Sequence, residues 1–219
     1  MQTHNKLYKH IIFDFDGVLA ETNSIRFEGF ELLFKDYPRE QVDRLVQYAK
    51  SNGGVSRYEK IRLFFEQIRS EFIPIDGIQL LAKQYSDLVK KKVIDAKAVK
   101  GSLEFLNRYN NDYDFAIVSG SDQEELMDVC KARKIDYFFI EILGSPATKE
   151  FNIASLLTRT GWQKKDCLFV GDSINDYDVA RLNGIGFIAR DSGLIDWRSL
   201  DKLAVINDLS ELHLYLKGE

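Results

Sequence analysis

The sequence predicts an α/β fold: a Rossmann-like parallel sheet covered by helices on both faces, with a small all-helical cap domain inserted into it. Two observations predict the sheet. Short apolar runs rich in Ile, Val and Phe recur along the chain and end abruptly in Gly, Ser or Asp, as strands buried on both faces do. Between them lie segments whose apolar residues repeat at helical spacing. A third observation predicts the insertion: from about Glu21 to about Asp95 there is no strand-like run, only helical periodicity.

In chain order, the predicted strands are Ile11–Phe15, Phe115–Val118, Phe138–Leu143, Cys167–Val170 and Gly186–Ala189, with a weaker one at Ala204–Ile206. After the first strand come helices near Ile25–Tyr37, Glu40–Lys50, Arg57–Phe72 and Ile78–Val93, punctuated by Pro38, Gly53-Gly54 and Pro74. Later helical stripes are Leu103/Leu106/Tyr109, Leu126/Val129/Cys130 and Ile153/Leu156/Leu157. Leu212–Glu219 reads as the end of a short helix. The expected division is a catalytic core of residues 1–20 and 96–219 and a cap of residues 21–95; the alternative is extra helices packed on the sheet. Ligands of such a sheet sit beyond the carboxyl ends of its strands.

Composition narrows the function classes. With 45% hydrophobic residues the chain can bury a sizeable core, and a formal net charge of −4 argues against a broad nucleic-acid surface. Cys130 and Cys167 lie in no metal-ligand pattern and read as free thiols. No apolar run has the length of a signal peptide or membrane span, so the expectation is a cytoplasmic protein, monomeric or a small homo-oligomer.

The chemistry begins at His10-Ile11-Ile12-Phe13-Asp14-Phe15-Asp16-Gly17. Residues i and i+2 of an extended chain point the same way, so Asp14 and Asp16 start from one side of a strand end. Their charges resist desolvation unless neutralised, and a hard divalent cation with oxygen ligands, Mg²⁺, is the economical neutraliser. One carboxylate can attack phosphorus and the other can move protons. Phe115–Val118 then leads into Ser119-Gly120-Ser121, where a hydroxyl and free backbone N–H groups can hold a phosphoryl oxygen. Ser121 also fits a capping box with Glu124. Lys149, after another strand, can neutralise nucleophile and phosphate. Finally Gly171-Asp172 and Asp176 follow a buried strand; spaced i, i+4, the two carboxylates share a helix face and read as metal ligands, or as acidic groups favoured by the helix dipole. Asp178 falls on another face.

These clusters together resemble the haloacid dehalogenase-like hydrolases. Asp14-Phe15-Asp16-Gly17 matches their DxDG motif, Ser119 their second, Lys149 their third and Gly171-Asp172 through Asp176 their GDxxxD fourth. The resemblance implies a nucleophilic Asp14, an acid/base Asp16, and Mg²⁺ held by Asp14, the main-chain oxygen of Asp16 and Asp172, with Asp176 as ligand or support. It also implies phosphate binding by Ser119, Gly120 and Lys149. Many capped relatives place the third-motif lysine where this chain has Ser145; Lys149 lies four residues later, one helical turn on.

In the cap, Gly53-Gly54-Val55-Ser56-Arg57-Tyr58-Glu59-Lys60 places Arg57 and Lys60 on one face of a helix capped by Ser56. Gly-Val-Ser-Arg resembles the cap loop of beta-phosphoglucomutase-like members, where that arginine contacts a substrate phosphate. This suggests a small phosphorylated metabolite, such as a sugar phosphate, as substrate, with Arg57 and Lys60 as cap contacts. Those mutases place a histidine ten residues after the second Asp; here that residue is Arg26, which favours a phosphatase over a phosphomutase. A non-catalytic phospho-ligand binding protein is the alternative of another class.

Overall fold

The computed structural model describes residues 7–200 and 203–216. Six strands form one sheet: β1 (His10–Phe13), β2 (Asp114–Asp122), β3 (Phe139–Ser145), β4 (Cys167–Gly171), β5 (Gly186–Arg190) and β6 (Val205–Ile206). Their order is β3-β2-β1-β4-β5-β6, and every pair is parallel. The chain leaves β1 toward β2 on one side and later returns to β4 on the other. The cleft between β1 and β4 is thus the point where the winding reverses, the usual ligand position in such sheets.

Strand alternation sorts the core. Ile11 and Phe13 of β1 join one apolar cluster and Ile12 joins the other. On the first face lie α5 (Ser102–Tyr109) and α6 (Gln123–Ala132); on the second, α7 (Lys149–Thr160) and α8 (Ile174–Asn183). The sheet is therefore covered on both sides, which is why its strands read as unbroken apolar runs.

Between β1 and α5 the chain is helical: α1 (Asn23–Leu33), α2 (Arg39–Ser51), α3 (Arg57–Leu63) and α4 (Ile75–Asp95). Helix α1 packs on α2 and α4, and α4 reaches α6 of the sheet layer. Phe34 stacks on Phe64 at 4.1 Å between ring centres, and Phe30 meets Tyr85 at 4.6 Å. The apolar cluster of these helices is continuous with the first face of the sheet, from Phe30 and Leu45 to Ile11 and Phe115.

Several boundaries differ from the sequence reading. β1 stops at Phe13, although Phe15 is still buried in the first apolar cluster, and β2 runs on through Ser119-Gly120-Ser121 to Asp122. The segment expected as one helix over Arg57–Phe72 is α3 followed by a π-helix, Phe64–Arg69, which ends where Ser70 turns left-handed at φ 57°. The predicted terminal helix is a single 3₁₀ turn, Leu212–Tyr215, and residues 217–219 lie outside the described residues.

Candidate active site

Each candidate side chain is delivered by the end of a strand or the first turn of a helix. As the chain leaves β1, the Asp14 amide still donates to Val170 of β4 (2.9 Å), and the Phe15 amide donates to Asp14 Oδ1 at 2.7 Å. Gly17 then reverses the chain at φ +71°, its amide donating to the Ala20 carbonyl at 2.9 Å. A Cβ there would lie 2.0 Å from Asp172 Oδ2, so this position needs glycine for both conformation and space. Asp172 follows β4, and its Oδ2 accepts from Asn23 Nδ2 at 2.7 Å. Asp176 sits in the first turn of α8, where it and Ser173 form a reciprocal capping box. Asp176 thus stands at the helix N-terminus, where the dipole favours an acidic group.

Asp14, Asp172 and Asp176 are all buried, with a carboxylate oxygen of each within 4.8 Å of the others. Lys149 opens α7, capped by Thr148, and its ammonium reaches Asp14 Oδ2 at 2.9 Å and Asp176 Oδ1 at 2.6 Å. The one-turn offset from Ser145 therefore still brings the ammonium onto the Asp14 carboxylate. Burial pushes the Asp14 carboxyl up to about 8 against the pull of Lys149, with Asp176, Asp172 and Asp16 adding to the rise. Burial and then Asp176 push Asp172 up to about 6. Burial opposes the Lys149 charge, but Asp14 and Asp176 hold its pKa above the ordinary lysine value. Three carboxylates against one ammonium leave an excess of negative charge on an all-oxygen donor set. That set fits a hard divalent cation.

The Asp16 carboxylate belongs to a different set of contacts. Its Oδ1 accepts from Thr22 Oγ1 (2.6 Å) and Arg26 Nε (2.8 Å), and its Oδ2 from Ser121 Oγ (2.6 Å). Burial works against its charge, yet Arg26 and these hydrogen bonds hold its carboxyl below the usual range. The Ser121 capping box does not form: Asp122 caps α6 by accepting from the Glu125 amide at 3.0 Å, and Ser121 is spent on Asp16. Ser119 Oγ accepts from the Ser121 amide at 3.2 Å, which leaves its hydroxyl proton available. Asp178 pairs on the surface with Arg181 at 3.8 Å, outside the cluster.

A small cavity of about 40 Å³ lies over this floor and is lined by Asp14, Asp16, Ser119 and Gly120 together with Arg57 and Lys60. The two cap residues differ. Arg57 Nη1 donates to Glu125 Oε2 at 2.6 Å and also bonds Ser86, and its guanidinium lies 4.5 Å over the Tyr85 ring. Lys60 is buried with only the Gly53 carbonyl as partner, at 3.3 Å, and no carboxylate among the described residues. Burial, then the charges of Lys149, Arg57 and Arg26, bring its pKa down to about 7, against the opposing pull of Asp16.

Five contributors were not assigned from sequence: Thr22, Asn23, Arg26, Ser121 in its contact with Asp16, and Glu125, which bonds both Arg26 and Arg57. Only Arg26 carried a signal, as a guanidinium where a histidine was expected. The others depend on which segments pack together.

Clustered buried carboxylates at a parallel sheet's switch point, faced by a helical segment, define a class. A family model of the haloacid dehalogenase-like hydrolases matches residues 11–190, and the chain belongs to that family. No curated protein matches the sequence significantly. Among solved structures, the chain is similar to a predicted phosphatase from Clostridium acetobutylicum (18% identity, TM-score 0.76, covering 95% of this chain and 98% of that one). It is similar too to a predicted phosphoglycolate phosphatase from Haemophilus somnus (18%, 0.74, 95% and 98%). A beta-phosphoglucomutase from Clostridium difficile is a further similar structure (14%, 0.75, 94% and 93%). These likenesses establish a shared fold. No helix among the described residues is long and apolar enough to cross a membrane.

Proposed function

We propose that the protein is a phosphomonoester hydrolase acting on a small phosphorylated metabolite of the sugar phosphate kind, through a phosphoryl group carried on Asp14. The observation that supports this most is the Asp14 carboxylate itself. It is buried, oriented by the Phe15 amide, held by Lys149, and lines the floor of the cleft. A structural role gives no reason to bury three carboxylates around one ammonium.

Asp14, the main-chain oxygen of Asp16 and Asp172 would hold Mg²⁺, with Asp176 as ligand or as support through Lys149. When bound, the metal keeps the carboxylates ionised and offsets the charge of the phosphoryl oxygens. An Asp14 oxygen attacks phosphorus as the bond to the leaving oxygen breaks, and Asp16 gives that oxygen its proton. Lys149, Ser119, Lys60 and the Gly120 amide stabilise the phosphoryl oxygens. Water then attacks the aspartyl phosphate. Asp16 takes its proton, Asp14 is regenerated and phosphate leaves. The Arg26 contact favours the ionised Asp16 that this second step uses; the proton that Asp16 gives in the first step is the one it took from water in the second step of the preceding turnover.

Residues 21–95 act as a cap that excludes bulk water from the phosphorylated enzyme. The phosphatase reading is preferred to the mutase reading because Arg26 is fixed by Asp16, Ser121 and Glu125 and offers no titrating group to the leaving sugar. The test is phosphate release from sugar phosphates, phosphoglycolate and nucleoside monophosphates, with Mg²⁺ and with EDTA, beside Asp14→Asn. Release by the wild type alone, abolished by EDTA, is expected. Mg²⁺-dependent turnover retained by Asp14→Asn would remove the nucleophile. Silence of both proteins, with turnover of bisphosphorylated sugar primers, would move the assignment to the mutase.

A further inference from the structure

We propose that Glu125 is a specificity-determining residue: by engaging both guanidiniums that line the cleft, it restricts the site to phosphomonoesters whose leaving group carries no charge of its own. This rests on the phosphatase reading and narrows its substrate class.

Glu125 lies in the first turn of α6, outside all four motifs, and is 2% exposed. Both of its oxygens are used: Oε1 accepts from Arg26 Nη1 on α1, and Oε2 from Arg57 Nη1 on α3. Burial works against its charge, yet the two guanidiniums keep the carboxyl far below the ordinary glutamate value.

The remaining faces of the guanidiniums are also occupied. Arg26 gives Nε to Asp16 (2.8 Å) and Nη2 to Ser121 (2.8 Å), and Tyr85 OH donates to its main-chain carbonyl (2.6 Å). Arg57 bonds Ser86 and lies over the Tyr85 ring. Arginine is suited to bidentate recognition of phosphate or carboxylate, and here both arginines already have protein carboxylates. On the floor, Lys149 is held by Asp14 and Asp176. Lys60 is the one cation lining the cleft with no carboxylate partner among the described residues. It lines the same cavity as Asp14, where it serves the transferred phosphoryl group.

A second anion on the substrate would thus enter a cleft whose guanidiniums already have carboxylate partners. That is selection against a charged leaving group by lack of a partner. A neutral polar leaving group, such as a sugar hydroxyl, needs no such partner. Arg57 already lines the cleft. Removing the Glu125 charge frees its guanidinium for an incoming anion without any backbone change.

The experiment compares kcat/KM for matched pairs that differ by one anionic group: fructose 6-phosphate with fructose 1,6-bisphosphate, and ethyl phosphate with phosphoglycolate. The wild type is expected to favour the singly charged-group member of each pair at least tenfold. Glu125→Gln should shrink that preference at least tenfold, Glu125→Asp should retain it, and the double variant Glu125→Gln/Arg57→Met should restore it. Arg57→Met alone should leave the ratio within threefold of wild type. A wild-type preference for the doubly anionic members overturns the proposal. So does a Glu125→Gln protein whose rates fall equally on both members. If Glu125→Gln does not fold, Arg57→Met decides: a selective loss on the doubly anionic member would make Arg57 a substrate contact and the proposal wrong. Calorimetry on Asp14→Asn with Mg²⁺ separates this inference from the phosphatase reading, since binding needs no turnover. At least tenfold tighter binding of fructose 6-phosphate supports the inference even if every ester is inert; equal or tighter binding of the bisphosphate overturns it.

Discussion

At the scale of single residues, Lys60 is the one whose burial most needs a ligand to explain it. In the unfolded chain it holds its proton up to the ordinary value of 10.5; in the folded protein it does so only up to about 7. Between those values the unfolded chain binds more protons, so this group adds stability as pH rises through the window and costs most at pH 7 and below. Lys60→Met is therefore expected to raise Tm at pH 6 by roughly 4–8 °C, corresponding to about 2 kcal/mol in a chain of this size, with a smaller gain at pH 9. Melting curves at the two pH values check this, and an unchanged Tm at pH 6 would mean the charge is already compensated. The same variant should raise KM at least fivefold for any phosphomonoester turned over, if the ammonium holds the phosphoryl group as proposed. The opposite pattern, a higher Tm with unchanged KM, would place Lys60 outside the binding site. Asp14, Asp16, Ser119, Lys149, Asp172 and Asp176 were legible because each follows an apolar run that can only be a buried strand, or opens the helix after one. Glu125 was not: a glutamate in the first turn of an amphipathic helix is ordinary at a dipole-favoured position, and nothing local marks it as buried.

At the scale of elements, the close approaches at the strand ends make their own predictions. Gly17→Ala would require a left-handed alanine with its Cβ 2.0 Å from Asp172 Oδ2 and 2.5 Å from Asn23 Nδ2. A loss of more than about 2 kcal/mol is expected, from backbone strain and displaced carboxylate together, with metal-dependent turnover abolished. Urea titration and the phosphate assay measure the two effects. Gly54 lies where the cap loop meets the floor: a Cβ there would come within 2.6 Å of Ser173 Oγ, and one on Gly120 within 2.7 Å of the Gly54 carbonyl. Gly54→Ala is expected to reduce kcat/KM at least tenfold while shifting Tm by less than about 3 °C, since a propped loop costs little packing in a chain of this size. A large Tm loss with kcat/KM intact would show that this contact serves folding and not closure. The strands were the most legible elements, because burial on both faces leaves long apolar runs. Helix ends were less so. Thr22 precedes α1 but makes no side-chain cap, its hydroxyl bonding Asp16 instead, and the α3 pattern continues past Leu63 into a π-helix with no change of periodicity.

At the scale of the whole molecule, the helices of residues 23–95 share one apolar cluster with the sheet, and polar contacts cross the same seam: Tyr58 to Asp122 at 2.6 Å, Lys90 to Asp128, and both arginines to Glu125. The division into residues 1–20 with 96–219 and residues 21–95 is thus proposed as a functional one, with the two parts expected to unfold together. Both tryptophans, Trp162 and Trp197, lie in the sheet part, whereas most of the helical signal comes from both parts. Urea transitions followed by tryptophan fluorescence and by far-ultraviolet circular dichroism should coincide. A separate early loss of helix would show that the cap folds independently of the sheet.

The sequence by itself determined the sheet, its helical interruption and the carboxylates at the strand ends. Each of these is a local pattern: an apolar run long enough for one strand, then a polar residue type at the exit. Only the tertiary structure decided how charge is shared across the cleft. It turned Ser121 from a helix cap into a partner of Asp16, placed Arg26 on that same carboxylate, and paired Arg57 with Glu125. Ion pairs between residues up to 99 positions apart depend on how the cap helices meet α6. Hydrophobic periodicity fixes which face of a helix is buried, but not which buried charge it will find there.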